Sequence, residues 1–157
     1  LPLDPCDTSD ARDVVPSWHV APRIGPAMLA RYSLIRPGRR VVGLHDSLPG
    51  DVVEVFKRRG ILPRKRHTQR GHRLRWDRPA HTMTTHAAEE WIHPSRNRPL
   101  TVRECARIQG FPDGYEFLGP LTLPHNSGRQ DVYAQLGDSV CPPVARAWAK
   151  VLQEILS

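Results

Sequence analysis

The chain has 157 residues, 39% hydrophobic and 25% charged, with a formal net charge of +7; that length suits one domain with a modest core and leaves little for a second. Its three cysteines, Cys6, Cys105 and Cys141, are odd in number, far apart and without a Cys-x-x-Cys pair, so they indicate neither a disulfide framework nor a zinc module. No apolar run is long enough to span a membrane and no basic-then-apolar leader is present, so a soluble, cytoplasmic protein with no membrane or metal partner is expected.

Residues 1–16 are rich in Pro, Asp and Ser without a hydrophobic period, and read as an irregular arm. Within it Asp4 and Asp7 flank Pro5-Cys6, and such anionic neighbours oppose a reactive thiolate, so Cys6 is read as a bystander. The chain opens on Leu1 rather than Met, as expected of a fragment, a processed chain or part of a larger polypeptide. Residues 17–20 and 40–44 read as short strands, on either side of a region punctuated by Pro22, Gly25, Pro26, Pro37 and Gly38. Between them, residues 27–35 read as a short helix. Asp51 and Glu54 have capping-box spacing, with Asp51 as the cap, an apolar face of Val52, Val55 and Phe56, and Gly60 as the stop.

The positive charge is concentrated. Between positions 57 and 78 ten Lys and Arg face a single acid, Asp77, giving +9 and leaving −2 for the rest of the chain. Arginine supplies 20 of the 23 basic residues, which suits bidentate contact with phosphate and guanine, although an Arg-rich genome produces the same bias. A charged run is usually solvated surface; one this concentrated also fits nucleic acid. Residues 61–72 read as a mobile basic loop, with His67 and His72 solvated or facing phosphate rather than holding a metal. Residues 73–77 alternate like a half-buried strand, and 82–85 are its expected partner.

The segment Arg-Pro-Leu-Thr-Val-Arg-Glu-Cys-Ala-Arg-Ile-Gln-Gly-Phe-Pro-Asp at 98–113 is the best-punctuated part of the chain. Thr101 and Glu104 have the spacing of a capping box. Val102, Cys105, Ala106 and Gln109 fall on one helical face and Arg103 and Arg107 on another. Gly110 stands where a left-handed stop is expected, and Phe111-Pro112 cannot continue the helix. A turn at Asp113-Gly114 and a loop over 119–128 follow. The last segment is a helix begun by Pro142-Pro143, with Val144, Trp148, Val151, Leu152 and Ile155 in one stripe. So much apolar surface needs a cover, and a chain of this length with so many loops points to a missing neighbour.

The wording of residues 98–113 resembles the ninth conserved motif of DNA (cytosine-5) methyltransferases. Gln-Leu-Gly-Asp-Ser-Val-Cys-Pro-Pro-Val at 135–144, followed by a helix, is similar to the tenth. Arg-Leu-Arg-Trp-Asp-Arg-Pro-Ala-His-Thr-Met-Thr-Thr at 73–85 is similar to the bacterial segment that leads from target recognition into the ninth motif. Taken alone, a capped helix with two arginines is usually a solvated surface helix; two such motifs in the right order are harder to obtain by chance. The resemblance covers residues 73–156.

The resemblance implies an α+β target-recognition domain with short strands and long loops, and a C-terminal helix that belongs with a Rossmann-like α/β catalytic domain. The expected division is an arm at 1–16, a recognition region at 17–134 including the ninth motif, and the tenth motif with its helix at 135–157. The family's chemistry uses S-adenosylmethionine and a cytosine flipped out of the duplex. Its Phe-x-Gly-x-Gly turn, apolar-flanked Pro-Cys-Gln and Glu-Asn-Val are absent from this sequence, so no catalytic residue is assigned. By resemblance, Arg98, Thr101, Arg103, Glu104, Arg107 and Gln109 brace the recognition domain, and Gly137, Asp138, Ser139 and Val140 form the turn that meets the methionine part of the cofactor. Asp138 stands where the family usually has Asn, which replaces an amide donor by an acceptor with a charge. Double-stranded DNA is the expected partner, met through Arg64, Lys65, Arg66, Arg70, Arg73 and Arg75, together with a catalytic domain or large subunit. Two rival readings are a non-catalytic DNA-binding or regulatory module and a circularly permuted enzyme lacking its catalytic half.

Overall fold

The computed structural model describes residues 18–66, 70–121 and 131–156. Three helices come first, α1 (Pro26–Ser33), α2 (Val42–Ser47) and α3 (Gly50–Arg58), followed by β1 (His72–Arg73), α4 (Ala87–Glu90), β2 (Trp91–Ile92), α5 (Val102–Ile108), α6 (Val132–Asp138) and α7 (Pro142–Leu156). The two strands pair in parallel, His72 with Trp91 and Arg73 with Ile92. Adjacent strand residues face opposite sides, so Trp91 and Ile92 join different hydrophobic clusters. Ile92 packs with Tyr32, Val41, Leu44, Val53 and Leu62 from the N-terminal helices. Trp91 packs with the buried faces of α5 and α6, including Val102, Ala106, Val132 and Leu136.

Arg73 ties the end of α1 to the loop that follows β2. It is only 4% exposed. Its Nε donates to the Ile35 carbonyl at 2.6 Å, Nη1 to those of His93 (2.7 Å) and Arg96 (2.9 Å), and Nη2 to the Tyr32 carbonyl and Asn97 Oδ1, both 2.7 Å. These five acceptors match the five donors of a guanidinium. Tyr32 and Ile35 stand at the end of α1, where carbonyls lack intrahelical partners and the helix dipole is negative, so a cation suits the place.

The helices expected at 27–35, around 102–109 and after Pro142 are present as α1, α5 and α7, and mixed helix with short strands agrees with the α+β expectation. Other elements differ. Residues 18–20 form no strand; Trp18 takes a positive φ of 71° and its carbonyl accepts the Arg103 N–H. Only Arg40 of 40–44 bridges to a strand residue, and α2 begins at Val42. Val41 and Leu44 are both buried, a spacing of three that is helical, and the β-branched pair had suggested a strand. Asp51 is not a cap: Pro49 holds that position and Asp51 sits in the first turn of α3, where its charge favours the dipole. The strand expected at 73–77 shrinks to β1, and its partner is β2 rather than 82–85. Thr84 is instead tied to Glu90, which accepts both its N–H and its hydroxyl. Of the loop expected at 119–128 only 119–121 lie within the described residues. The 134/135 boundary falls inside α6, whose Val132, Tyr133 and Leu136 are all buried.

Arg73→Met should unfold the chain or cost at least about 3 kcal/mol, because several buried carbonyls lose their donor together. Urea unfolding checks this; a loss below about 1 kcal/mol would show that the clamp is dispensable.

Candidate functional site

Helix α5 is held from its start by a capping box. Glu104 N–H donates to Thr101 Oγ1 at 3.1 Å, and Thr101 N–H to Glu104 Oε2 at 2.7 Å. Arg98 forks onto both Glu104 oxygens at 2.7 Å. Burial pushes the Glu104 carboxyl up, but the Arg98 and Thr101 hydrogen bonds outweigh it and leave the pKa below its ordinary value. His93 faces the same carboxylate, with Nε2 at 3.8 Å from Oε1, and its Nδ1 accepts the Ser95 and Arg96 N–H groups. Burial and then the charge of Arg98, against the pull of Glu104, lower its pKa to about 4, so it is neutral at physiological pH.

Arg103 was expected beside Arg107 on one face of the helix. It is instead fully buried, donating to the carbonyls of Pro112 (3.1 Å) and Tyr115 (2.8 Å), with its guanidinium carbon 5.5 Å from the centre of the Phe117 ring. Hydrogen bonds within the chain compensate the desolvation of this cation. Arg107 forms a bidentate pair with Asp113 at 2.7 and 2.8 Å. At the other end Gly110, at φ 81°, closes a Schellman stop: its N–H donates to the Arg107 carbonyl and that of Phe111 to Ala106.

The end of α5 grips the tenth-motif segment. Gln109 Nε2 donates to the Leu136 carbonyl at 3.1 Å, while the Cys141 thiol donates to Gln109 Oε1. A side chain at Gly110 would lie 2.6 Å from Pro143 Cγ. Helix α6 is capped by Asp131, which accepts the Ala134 N–H at 2.9 Å. Gly137 and Asp138 were expected in a turn, but both are helical, and the turn begins at Ser139. Gly137 has a packing reason to be glycine: an added Cβ would stand 2.3 Å from the Thr84 carbonyl oxygen and 2.5 Å from Thr85 N. Ser139 donates its hydroxyl to the Leu136 carbonyl at 2.7 Å, and Asp138 and Val140 are exposed.

The basic residues expected to meet DNA divide sharply. Arg64 and Lys65 are exposed. Arg66, Arg70 and Arg75 are paired with Asp46 (2.5 Å), Glu89 (2.7 Å) and Asp77 (2.5 Å). Arg73 must be removed from the set, since its guanidinium is buried among carbonyls. His72 is also buried, in β1, stacked 4.5 Å from His81, so it is neither solvated nor free to face phosphate. His67 and Cys6 lie outside the described residues. Among the described residues no cluster of three or more candidate ligands could hold a metal, and no helix is long and apolar enough to cross a membrane. A further basic feature lies outside the 57–78 run. Arg36 and Arg39, both exposed, flank a type II turn with Pro37 second, Gly38 third at φ 77°, and an Arg39 N–H to Arg36 carbonyl bond of 3.0 Å. The signal was the Arg-Pro-Gly-Arg order, which a count of local charge passes over.

The family of C-5 cytosine-specific DNA methylases matches residues 42–154. The Type II methyltransferase M.AgeI of Thalassovita gelatinovora is 34% identical over 76% of this chain and 25% of its own length. The Type II methyltransferase M.Eco47II of Escherichia coli is also 34% identical, over 79% of this chain and 28% of its own. The DNA (cytosine-5)-methyltransferase CMT1 of Oryza sativa subsp. japonica is 45% identical over 48% of this chain and 7% of its own. The chain therefore spans about a quarter of the length of these bacterial relatives.

Two outcomes follow from the packing. His93 takes a proton in the unfolded chain near its ordinary pKa of 6.5 but in the fold only near 4. Its contribution is thus complete above pH 6.5 and is lost as pH falls towards 4, by up to about 3 kcal/mol. The pKa values of His19, His45 and His72 are lowered too, burial being the largest cause in each. Urea unfolding at a series of pH values should show this loss, and His93→Gln should make it shallower. Gly137→Ala should destabilise by more than about 1 kcal/mol, although alanine is the better helix former by a similar amount. A stabilising effect would mean that the 84–85 backbone does not press on α6.

Proposed function

Because the chain belongs to the C-5 cytosine-specific DNA methylase family, we propose that it is the target-recognition and cofactor-site-completing portion of a DNA cytosine-5 methyltransferase. It acts with a catalytic portion that carries the remaining motifs, on the same polypeptide or on another, and transfers no methyl group alone. The observation that carries this reading is α7. Its stripe of Val144, Trp148, Val151, Leu152 and Ile155 is between 45% (Val151) and 72% (Ile155) exposed. Burying one such side chain is worth roughly 1.5–3 kcal/mol, so five in a stripe favour a partner surface.

The chemistry of the described residues supports the division of labour. Cytosine-5 methylation by this family needs a cysteine thiolate. Cys105 is fully buried, and burial, then the charges of Glu104 and Glu90, push its thiol far above its ordinary pKa. It stays protonated and inaccessible, and the half-buried Cys141 thiol is engaged by Gln109 Oε1, so the nucleophile is assigned to the other portion. S-adenosylmethionine, when bound, supplies the methyl group. In this chain the Asp138 carboxylate and the groups of Ser139 and Val140 would form one edge of its site. The Ser139 hydroxyl proton is engaged by Leu136, leaving its oxygen as an acceptor. Asp138 adds an exposed carboxylate, which attracts the ammonium of the methionine part and repels its carboxylate. That edge suits the ammonium. Gly137 contributes indirectly, by letting α6 lie against residues 84–85. Exposed Arg64 and Lys65 are assigned to the phosphates of double-stranded DNA, where they position the duplex without reading its sequence.

The test combines the chain with a polypeptide carrying the preceding motifs and measures tritium transfer from S-adenosylmethionine to duplex DNA. Transfer is expected only from the mixture. Trp148→Asp should lower it at least about tenfold, the effect of about 1.4 kcal/mol of lost docking energy, while DNA binding by the chain stays unchanged. Transfer by the chain alone, or loss of fold and DNA binding in Trp148→Asp, would contradict the reading.

A further inference from the structure

The turn at 36–39 lies ahead of the part of the chain that matches the family, which begins at residue 42, and outside the basic run. Its two exposed arginines stand on a backbone fixed by hydrogen bonds. Its closing hydrogen bond is reinforced by pairing with the β1 region. Gly38 N–H donates to the Arg73 carbonyl at 2.8 Å, Arg73 N–H to the Arg39 carbonyl at 3.0 Å, and Val41 N–H to the Gly71 carbonyl at 3.0 Å. Arg40 bridges to His72 in the antiparallel sense. The turn is thus anchored to β1 and to the buried Arg73. Gly38 is required twice over, by its φ of 77° and because a Cβ would stand 2.9 Å from Arg75 Cδ.

Charge completes the case. Arg75, whose stem crosses Gly38, is held by Asp77 at 2.7 and 2.5 Å through two nitrogens. No ion pair joins either arginine to a described residue. Of the six arginines and lysines first expected to meet DNA, three are paired to acids and one is buried, and Arg36 and Arg39 add two exposed cations to the remaining Arg64 and Lys65.

We infer that the turn at 36–39 is a pre-organised phosphate clamp, in which Arg36 and Arg39 each neutralise one backbone phosphate of duplex DNA. The inference rests on the DNA-binding reading above and adds a second element to the DNA-facing surface. A backbone fixed before binding lowers the ordering cost of the interaction, and two cations across a four-residue turn suit phosphates along a strand better than a single base edge.

The experiment measures binding of the chain to a fluorescent duplex by anisotropy, from about 50 to about 200 mM salt. Replacing Arg36 and Arg39 together by Ala should reduce the slope of log affinity against log salt by about 1.8, that is about 0.9 for each phosphate no longer neutralised. Replacing both by Lys should restore the slope, because a point charge is enough for a phosphate. An unchanged slope in the Ala variant would overturn the clamp while leaving DNA binding intact, as would a Lys variant no better than the Ala variant. Absence of salt-dependent binding in the unaltered chain would instead overturn the DNA-binding reading, and the clamp with it.

Discussion

The described structure depends most on one buried cation. Arg73 stands where α1 ends, β1 begins and the 93–97 loop returns, and five acceptors converge on its guanidinium. A buried charge is tolerated only when its hydrogen bonds are complete, and here completeness requires three separate pieces of chain to arrive together. The geometry therefore specifies how the end of α1 meets β1 and the 93–97 loop. The strand pair alone is too short to do so, with two residues in each strand.

A second set of interactions ties α5 to α6 and the start of α7. Gln109 reaches both the end of α6 and the start of α7, Pro143 packs where only a glycine at 110 leaves room, and Gly137 brings α6 onto the backbone of Thr84 and Thr85. Tyr133 adds a buried hydrogen bond from its hydroxyl to the Leu100 carbonyl at 2.7 Å. The ninth and tenth motifs are thus parts of one packed unit. A shift of α5 would reach residues 136–141 through short, direct contacts.

Features governed by local chemistry were legible in the sequence. Thr101 and Glu104 announced their capping box, Gly110 its left-handed stop, and the spacing from Val144 to Ile155 its helix, because each follows from a few neighbouring residues. Tertiary features were not. Nothing near Arg73 distinguishes it from Arg75, yet one is buried and the other is exposed. Charge counting registers a cation without its partner, so Arg66, Arg70 and Arg75 were placed in one field although Asp46, Glu89 and Asp77 neutralise them locally. Arg103 was misjudged for the same reason: helical spacing gave its face but not the carbonyls of Pro112 and Tyr115 that receive it. Gly137 illustrates a different limit, because a resemblance assigned it to a cofactor turn while its close approach is to backbone more than 50 residues earlier.

The central claim is that a complete packed core carries a C-terminal helix that is incomplete until another surface covers it. Amide hydrogen exchange of the chain, followed along the sequence, tests this most directly, since exchange reports the free energy of local opening. The account predicts that the amides of α5 and α6 exchange only with global unfolding, that those of α7 beyond its first turn exchange far faster, and that α7 gains protection when the catalytic portion is added. Equal protection of α7 and α5 in the monomeric chain alone would contradict it.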